Sequence, residues 1–287
     1  MRLISYSSDS GPRVAGVGND GTYIDINQAD PALPSSMPEL LALGRDGLRR
    51  AAAAIASGKP IPRERVRLLP PVVRPEKIIC IGLNYADHAR ETGKEAPNEP
   101  VVFNKLLTTL RAAGDPIVLP RLSSKVDYEA ELVAVIGTAG RHIPKDKALE
   151  CVAGYTCGND VSARDWQAQK PGGQWLLGKS FDSFAPLGPE LVTADEVGDA
   201  GNLGIKLRIN GQTMQDSRTS QLIFGIAHLV SYISGICRLA PGDLIYTGTP
   251  SGVGFARKPP VYLRAGDAVE VEIEKIGVLR NPVVAES

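Results

Sequence analysis

The chain has 287 residues, 43% of them hydrophobic, and its 32 basic and 32 acidic side chains cancel to a net charge of zero. The neutral balance and the 5% aromatic content argue against a nucleic-acid-binding protein, and no basic block suggests a membrane surface as partner. The sequence shows neither a run of 18 apolar residues nor the apolar core of a signal peptide. We therefore expect a cytoplasmic protein whose four cysteines are buried free thiols.

The first 70 residues predict a small N-terminal unit. Residues 2–6, 13–17 and 22–26 predict strands, and residues 19–21 predict a hairpin turn between the last two. Residues 37–57 predict a helix that ends before Gly58. The proline-rich stretch at residues 60–71 predicts a connector. We therefore expect a domain boundary near residue 70, with units at residues 1–70 and 71–287.

Strands dominate the rest of the chain. They are predicted at residues 78–81, 101–103, 116–119, 126–136, 151–157, 205–209, 212–215, 244–246, 261–263, 268–273 and 278–284. Residues 222–237 predict the longest helix of this part. The pattern indicates a β-rich α+β fold, a mixed β-sheet roll or barrel with a small N-terminal α/β appendage, rather than βαβ repeats.

Three carboxylates mark the most informative region. Glu129 and Glu131 are two residues apart on the predicted strand 126–136, so their side chains point to the same face. Neighbouring carboxylates in an apolar run require a cation, a shared proton or solvent. Asp160 ends the next apolar run and completes a three-oxygen set if the two strands are neighbours. Such a set favours Mg²⁺ or Mn²⁺ first and Ca²⁺ next, whereas the alternative is a solvated edge or pairing with lysine and arginine.

His88 and Glu91 form a candidate pair for proton transfer. They lie three residues apart on a short helix predicted after the strand 78–81, and therefore on the same face. A carboxylate beside an imidazole orients the ring and favours its protonated form. The pair then serves as a general base toward water. The alternative is an ordinary exposed contact between a histidine and a glutamate.

Further polar residues follow the third carboxylate. Arg164 and Gln167 lie at helical spacing from Asp160, and Arg164 either binds a substrate carboxylate as a fork or neutralises Asp160. Lys179 stands in an apolar, turn-rich run, where its partner is either protein or substrate. Thr249 lies in a tight turn at residues 247–250, which either receives an anion or is an ordinary turn.

Taken together, these segments resemble the fumarylacetoacetate hydrolase family. The matching motifs, in family order, are IGLNYADH at 81–88, DYEAEL at 127–132, GY at 154–155 through NDVSARD at 159–165, GKSFD at 178–182 and TGTPSGVG at 247–254. They span roughly residues 75–285, and the likeness is greatest to bacterial members of about this length. The resemblance implies a mixed β-roll of the fumarylacetoacetase C-terminal type, usually a homodimer.

The resemblance also implies a role for each site residue. Glu129, Glu131 and Asp160 would be Mg²⁺ or Mn²⁺ ligands. His88 with Glu91 would handle water or a proton, and Lys179 would stabilise a developing enolate. The residues that would hold the substrate are Tyr85, Arg164, Gln167 and Thr249.

The implied activity is divalent-metal-dependent hydrolysis of a C–C bond in a 2,4-dioxo acid of the acylpyruvate or fumarylpyruvate type. The reaction would pass through a metal-stabilised pyruvate enolate, as in aromatic compound catabolism. The alternative is an isomerase, tautomerase or decarboxylase acting on a small 2-oxo diacid such as oxaloacetate or a 2-hydroxy-dienedioate. Some family members have arginine where this chain has Leu83, which argues against decarboxylation. A non-catalytic carboxylate-binding relative would need only the metal ligands.

Overall fold

The computed structural model describes residues 1–62 and 65–287. Strands β1 to β5 are Arg2–Ser8, Gly11–Val17, Tyr23–Asp25, Pro60–Ile61 and Arg67–Leu69. Strands β6 to β13 are Ile78–Gly82, Val101–Asn104, Leu110–Arg111, Ile117–Leu119, Val126–Asp127, Ala130–Ile136, Val152–Asn159 and Ser162–Ala163. Strands β14 to β19 are Ala185–Thr193, Gly204–Ile209, Gln212–Arg218, Leu244–Tyr246, Ala268–Ile273 and Gly277–Ala285. Helices α1 to α8 are Ile26–Ala29, Met37–Ala42, Gly44–Ser57, Ala86–Thr92, Arg164–Gln169, Trp175–Lys179, Ala194–Val197 and Ile226–Ile236.

The predicted β-rich α+β class is confirmed, and the differences are local. The helix predicted over residues 37–57 is two helices, because the backbone turns left-handed at Gly44 with φ +61°. The predicted strand at residues 261–263 is wrong, because these residues lie outside the named strands. The predicted connector at residues 60–71 contains β4 and β5, and its residues 63–64 lie outside the described part of the chain.

Two larger sheets organise the described residues. The first has the strand order β4-β3-β2-β1-β14-β12-β11-β17-β6-β7, with β5 beside β1 and β8 beside β14. The second has the order β16-β15-β18-β19-β9. Strand β1 pairs antiparallel with β14 through Leu3 and Leu191, so the N-terminal strands extend a sheet made by later residues. The boundary near residue 70 stays a prediction.

Strand β11 lies between two hydrophobic cores and is buried along its whole length. On one face Leu132, Ala134 and Ile136 belong to the core that includes residues of β15 and β18. On the other face Val133 and Val135 belong to the core that includes residues of β1, α2 and α3. Glu131 shares the second face because side chains alternate along a strand. One end of this doubly covered strand carries the site.

The single strand predicted over residues 126–136 is wrong near its start, where Tyr128 and Glu129 separate β10 from β11. Side chains take over the backbone hydrogen bonds there. The Glu129 N–H donates to Asn159 Oδ1 at 3.0 Å, and the Ala130 N–H donates to Gln215 Oε1 at 2.8 Å. Since buried N–H groups need partners, these acceptors let the chain leave the ladder without loss of a hydrogen bond.

The four cysteines are free, as expected, but only two are buried. Cys80 and Cys157 lie in the interior, whereas Cys151 and Cys237 are half-buried. The prediction that all four are buried is therefore wrong for the last two, which sit at the edges of the apolar runs that suggested burial. No helix within the described ranges is long and apolar enough to cross a membrane.

Candidate active site

The three predicted metal ligands meet at one end of β11. Antiparallel pairing of β11 with β12 places Ala130 opposite Asn159, which brings the residues beside them together. One carboxylate oxygen from each of Glu129, Glu131 and Asp160 lies within 4.8 Å of the other two. The three residues are at most 5% exposed. Their arrangement suits a single divalent cation, which would receive three hard oxygen ligands.

Three cationic side chains surround this triad. Lys179 Nζ lies 2.6 Å from Glu129 Oε2 and 2.8 Å from Asp160 Oδ2, so the partner of this buried lysine is protein. Lys105, also buried, pairs with Asp160. Arg164 Nη2 donates to Glu129 Oε1 at 2.6 Å. The suggestion that Arg164 neutralises Asp160 is wrong, because the two lysines take both oxygens of that carboxylate.

The neighbours separate the pKa values of the two glutamates. Burial raises the pKa of Glu129, but Lys179 and Arg164 outweigh burial and lower it to about 2. Burial and the charges of Asp160 and Glu129 raise the pKa of Glu131 well above its ordinary value. Glu131 forms no ion pair with any described residue, and only the Gly248 N–H donates to it, at 2.7 Å. A divalent cation would supply the charge that Glu131 lacks, so the residues fit a metal.

His88 and Glu91 lie on the same face of α4. His88 Nδ1 is 3.2 Å from Glu91 Oε2, and the histidine is 6% exposed. The other oxygen, Glu91 Oε1, accepts from the Gly252 N–H at 2.9 Å. Both carboxylate oxygens therefore have partners, which fixes the imidazole and leaves its Nε2 for a ligand. This burial excludes the ordinary exposed contact that the sequence left open.

One cavity of about 270 Å³ joins these groups. Its lining includes the predicted site residues His88, Glu129, Glu131, Arg164, Gln167, Lys179 and Thr249. Apolar walls come from Leu83, Phe103, Trp175 and Phe255. A volume at the small end of ligand pockets suits a small molecule.

Three of the predicted site residues, Tyr85, Glu91 and Asp160, are absent from the cavity lining. The Tyr85 hydroxyl is buried and has no hydrogen-bond partner among the described residues. Burial and the charges of Glu131 and Asp87 raise its pKa. A buried hydroxyl without a partner is costly, and a water held by a cation at the triad would relieve that cost. The direct substrate contact suggested for Tyr85 stays a prediction.

The turn at residues 247–250 does receive an anion, but the anion belongs to the protein. The Gly248 N–H donates to Glu131 Oε2 at 2.7 Å. Thr249 lines the cavity, and its Oγ1 accepts from Gln215 Nε2 at 2.8 Å, which leaves the hydroxyl proton free to donate.

Sequence reasoning missed two buried charged residues that pair with predicted site residues. Lys105 follows a predicted strand as a single charge, and a buried lysine has the same local sequence signature as an exposed one. Asp127 precedes Glu129 by two residues, so the alternation of three acids at 127, 129 and 131 would have suggested it. It is fully buried and accepts from Arg164 Nε at 2.8 Å.

Comparisons with known proteins agree with the geometry. The family model described as fumarylacetoacetate (FAA) hydrolase C-terminal matches residues 77–284. The chain is 49% identical to oxaloacetate tautomerase fahd2, mitochondrial, of Xenopus laevis, over 99% of this chain and 90% of that protein. Among solved structures it resembles fumarylacetoacetate hydrolase from Exiguobacterium antarcticum, with a TM-score of 0.87, 35% identity and full coverage of both chains. It also resembles 5-carboxymethyl-2-hydroxymuconate delta-isomerase from Mycobacterium smegmatis, with a TM-score of 0.79, 37% identity and full coverage of both. The chain therefore belongs to the fumarylacetoacetate hydrolase family.

Proposed function

We propose that the protein is a metal-dependent tautomerase that interconverts the enol and keto forms of a small 2-oxo diacid such as oxaloacetate. The observation that carries the proposal is the placement of His88 in the same cavity as Glu129, Glu131 and Lys179. The name of the Xenopus relative, which matches over nearly the whole chain, supports this alternative over the hydrolase favoured from the sequence.

Ketonisation of an enol moves two protons and no heavy atom. The proton on the C2 oxygen leaves to solvent and a proton is added at C3, while the C2=C3 double bond becomes single and the C2–O bond becomes double. A divalent cation held by Glu129, Glu131 and Asp160 would polarise the oxygen at C2. His88 delivers the proton to C3 in ketonisation and removes it in the reverse reaction. It acts through Nε2, since its Nδ1 faces Glu91. Lys179, which lines the same cavity, stabilises negative charge at the C2 oxygen.

The charges around the cavity favour a diacid. Arg164 and Lys179 are paired with protein carboxylates, yet Arg164 keeps N–H donors for the carboxylate next to the 2-oxo group. Lys94 also lines the cavity, and no ion pair joins it to any residue that the structure describes. It is therefore available to a second carboxylate, which oxaloacetate has and a simple acylpyruvate lacks.

The test follows the enol absorbance of oxaloacetate with purified wild-type protein and His88→Ala, each with Mg²⁺ and with excess chelator. We expect the enzyme-dependent rate to disappear in chelator and return with Mg²⁺ or Mn²⁺. His88→Ala should lower kcat by roughly 10²–10⁴, the usual range for loss of a general base, while it keeps its metal. Full activity after exhaustive chelation would remove the metal from the reaction, and a wild-type rate in His88→Ala would remove the imidazole.

Hydrolysis of a 2,4-dioxo acid is the second candidate function. The fixed His88–Glu91 pair is also suited to activate water, and a structural neighbour is named fumarylacetoacetate hydrolase. The same preparation assayed with acylpyruvates distinguishes the two. Release of pyruvate at rates comparable to enol turnover would favour hydrolysis, whereas ketonisation without cleavage would favour tautomerisation.

Two sequence-based expectations stay predictions alongside this function. The homodimer and the cytoplasmic location both rest on the sequence, and the name of the Xenopus relative says mitochondrial. Sedimentation of the purified protein measures the first directly.

A further inference from the structure

A second buried aspartate lies beside the triad with every contact directed to the protein. Asp127 has no exposed surface. Its carboxylate accepts from the backbone N–H groups of Tyr128 at 2.8 Å, Gly254 at 2.7 Å and Phe255 at 3.0 Å. A fourth donor is Arg164 Nε at 2.8 Å. With four donors on two oxygens, Asp127 is saturated and unsuited to bind either a metal or a substrate.

Asp127 fixes one edge of the Arg164 guanidinium. Arg164 has five N–H groups, and three of them donate to protein. Nε donates to Asp127, Nη1 to Gln167 Oε1 at 2.9 Å, and Nη2 to Glu129 Oε1 at 2.6 Å. Two N–H groups, one on each Nη, remain for a ligand. Three acceptors on three different nitrogens hold the guanidinium plane in one orientation.

The Asp127 carboxylate also positions the Phe255 ring against the Arg164 guanidinium. The N–H of Phe255 donates to Asp127, and the centroid of its ring is 4.4 Å from Arg164 Cζ. The ring also meets the His88 imidazole edge-on, with centroids 6.3 Å apart. One buried charge therefore positions a cation and a ring that both line the cavity.

We propose that Asp127 is a positioning residue that orients Arg164, with the Phe255 ring against its guanidinium, so that Arg164 binds the carboxylate next to the 2-oxo group. The proposal rests on the proposed function for the identity of that carboxylate. Loss of Asp127 would leave the Arg164 charge in place but release its plane, so that substrate binds more weakly while the triad keeps its metal.

The experiment compares Asp127→Asn with a matched control, Asp243→Asn. Asp243 is also without exposed surface, accepts from the Ala240 and Lys77 N–H groups, and pairs with Lys77 Nζ at 2.9 Å, but neither Ala240 nor Lys77 lines the cavity. Both changes remove a buried, hydrogen-bonded charge. We expect Asp127→Asn to raise KM for enol-oxaloacetate about tenfold or more, the effect of losing a charge-assisted hydrogen bond. Its kcat and its calorimetric Mg²⁺ affinity should stay within about threefold of wild type, and Asp243→Asn should leave KM unchanged.

Oxalate binding in Mg²⁺, measured by calorimetry, reads the carboxylate site without any turnover. Absence of tautomerase activity in wild type would remove the proposed function, whereas oxalate affinity would still test Asp127. We expect Asp127→Asn and Arg164→Lys each to weaken oxalate binding, and the double variant to bind no more weakly than Arg164→Lys. Additive losses, wild-type affinity in Asp127→Asn, or an equal loss in Asp243→Asn would overturn the positioning role. If Asp127→Asn does not fold, wild-type oxalate affinity in Arg164→Lys overturns it.

Discussion

Glu131 differs from the other two triad residues in its surroundings. Glu129 and Asp160 contact lysine or arginine, whereas among the described residues Glu131 receives a single N–H, from the backbone of Gly248. Its pKa is raised by burial and by its two acidic neighbours. In protein without metal this glutamate is therefore a source of instability, which a cation bound at the triad would relieve.

The sign of the pH dependence follows from that shift. Because the pKa of Glu131 is raised, the folded protein holds this proton to a higher pH than the unfolded chain, in which the glutamate titrates near pH 4.5. The contribution of this group to stability is thus complete below that pH and is lost as pH rises toward the folded pKa. Glu131→Gln removes this pH-dependent loss of stability, because glutamine does not ionise. In chelator, the variant should melt at a higher temperature than wild type at pH 8, and the difference should shrink toward pH 5.

Adding Mg²⁺ should reverse the order, because it stabilises wild type and has little effect on a protein that lacks a charged ligand. Differential scanning fluorimetry at both pH values measures this, with the exposed Glu150→Gln as control. Equal melting temperatures of Glu131→Gln and wild type in chelator at every pH would show that the Glu131 carboxylate does not destabilise the metal-free protein. An undiminished Mg²⁺ shift in the variant would remove it from the metal site.

Lys94 tests the choice between a diacid and a monoacid. Lys94→Gln should raise KM for enol-oxaloacetate several-fold, because an exposed ion pair contributes about 1 kcal/mol at most. It should leave KM for enol-phenylpyruvate, which has one carboxylate, unchanged. Lys147→Gln is the control, since it removes the same charge from a lysine outside the cavity. A parallel change for both substrates would assign Lys94 no part in diacid selection.

At the scale of elements, the segment from Gly248 to Phe255 connects the parts of the site. Its backbone N–H groups donate to three acidic side chains, which belong to the triad, to α4 and to β10: Glu131, Glu91 and Asp127. The triad and the His88–Glu91 pair therefore share one stretch of backbone. A change in this segment alters both.

Gly248→Ala tests that connection. Gly248 has φ +101°, and a methyl group there would lie 2.8 Å from Asn84 Cβ. The left-handed backbone costs about 1–3 kcal/mol for a residue other than glycine. Gly211→Ala is the control, because Gly211 has φ +81° but no atom within 4 Å of the added methyl. We expect both variants to lose stability in chemical denaturation and only Gly248→Ala to lose Mg²⁺ affinity. Equal Mg²⁺ affinity in the two variants would show that the Gly248 N–H does not hold Glu131.

At the scale of the whole molecule, the sequence predicted what local patterns determine. Alternation of apolar residues predicted most strands, and the order of the motifs along the sequence predicted the family. The break at Tyr128 was not predictable, because the acceptors that permit it are distant in sequence: Asn159 lies 30 residues after Glu129, and Gln215 lies 85 residues after Ala130. The ion pair of Lys105 with Asp160 spans 55 residues and was missed for the same reason. Contacts of this range exist only after the sheet has formed.

The double burial of β11 constrains how such a protein changes over evolutionary time. No position from Ala130 to Ile136 faces solvent, so a substitution in the strand that carries Glu131 disturbs the packing of one core or the other. The cavity walls at Leu83, Lys94 and Trp175 belong to helices and loops where such constraints are weaker. Substitutions at the base of the pocket are therefore restricted by packing, whereas substitutions in its walls are tolerated more easily. This difference between the strand and the walls gives a physical reason why tautomerase, isomerase and hydrolase names occur among proteins that share this fold.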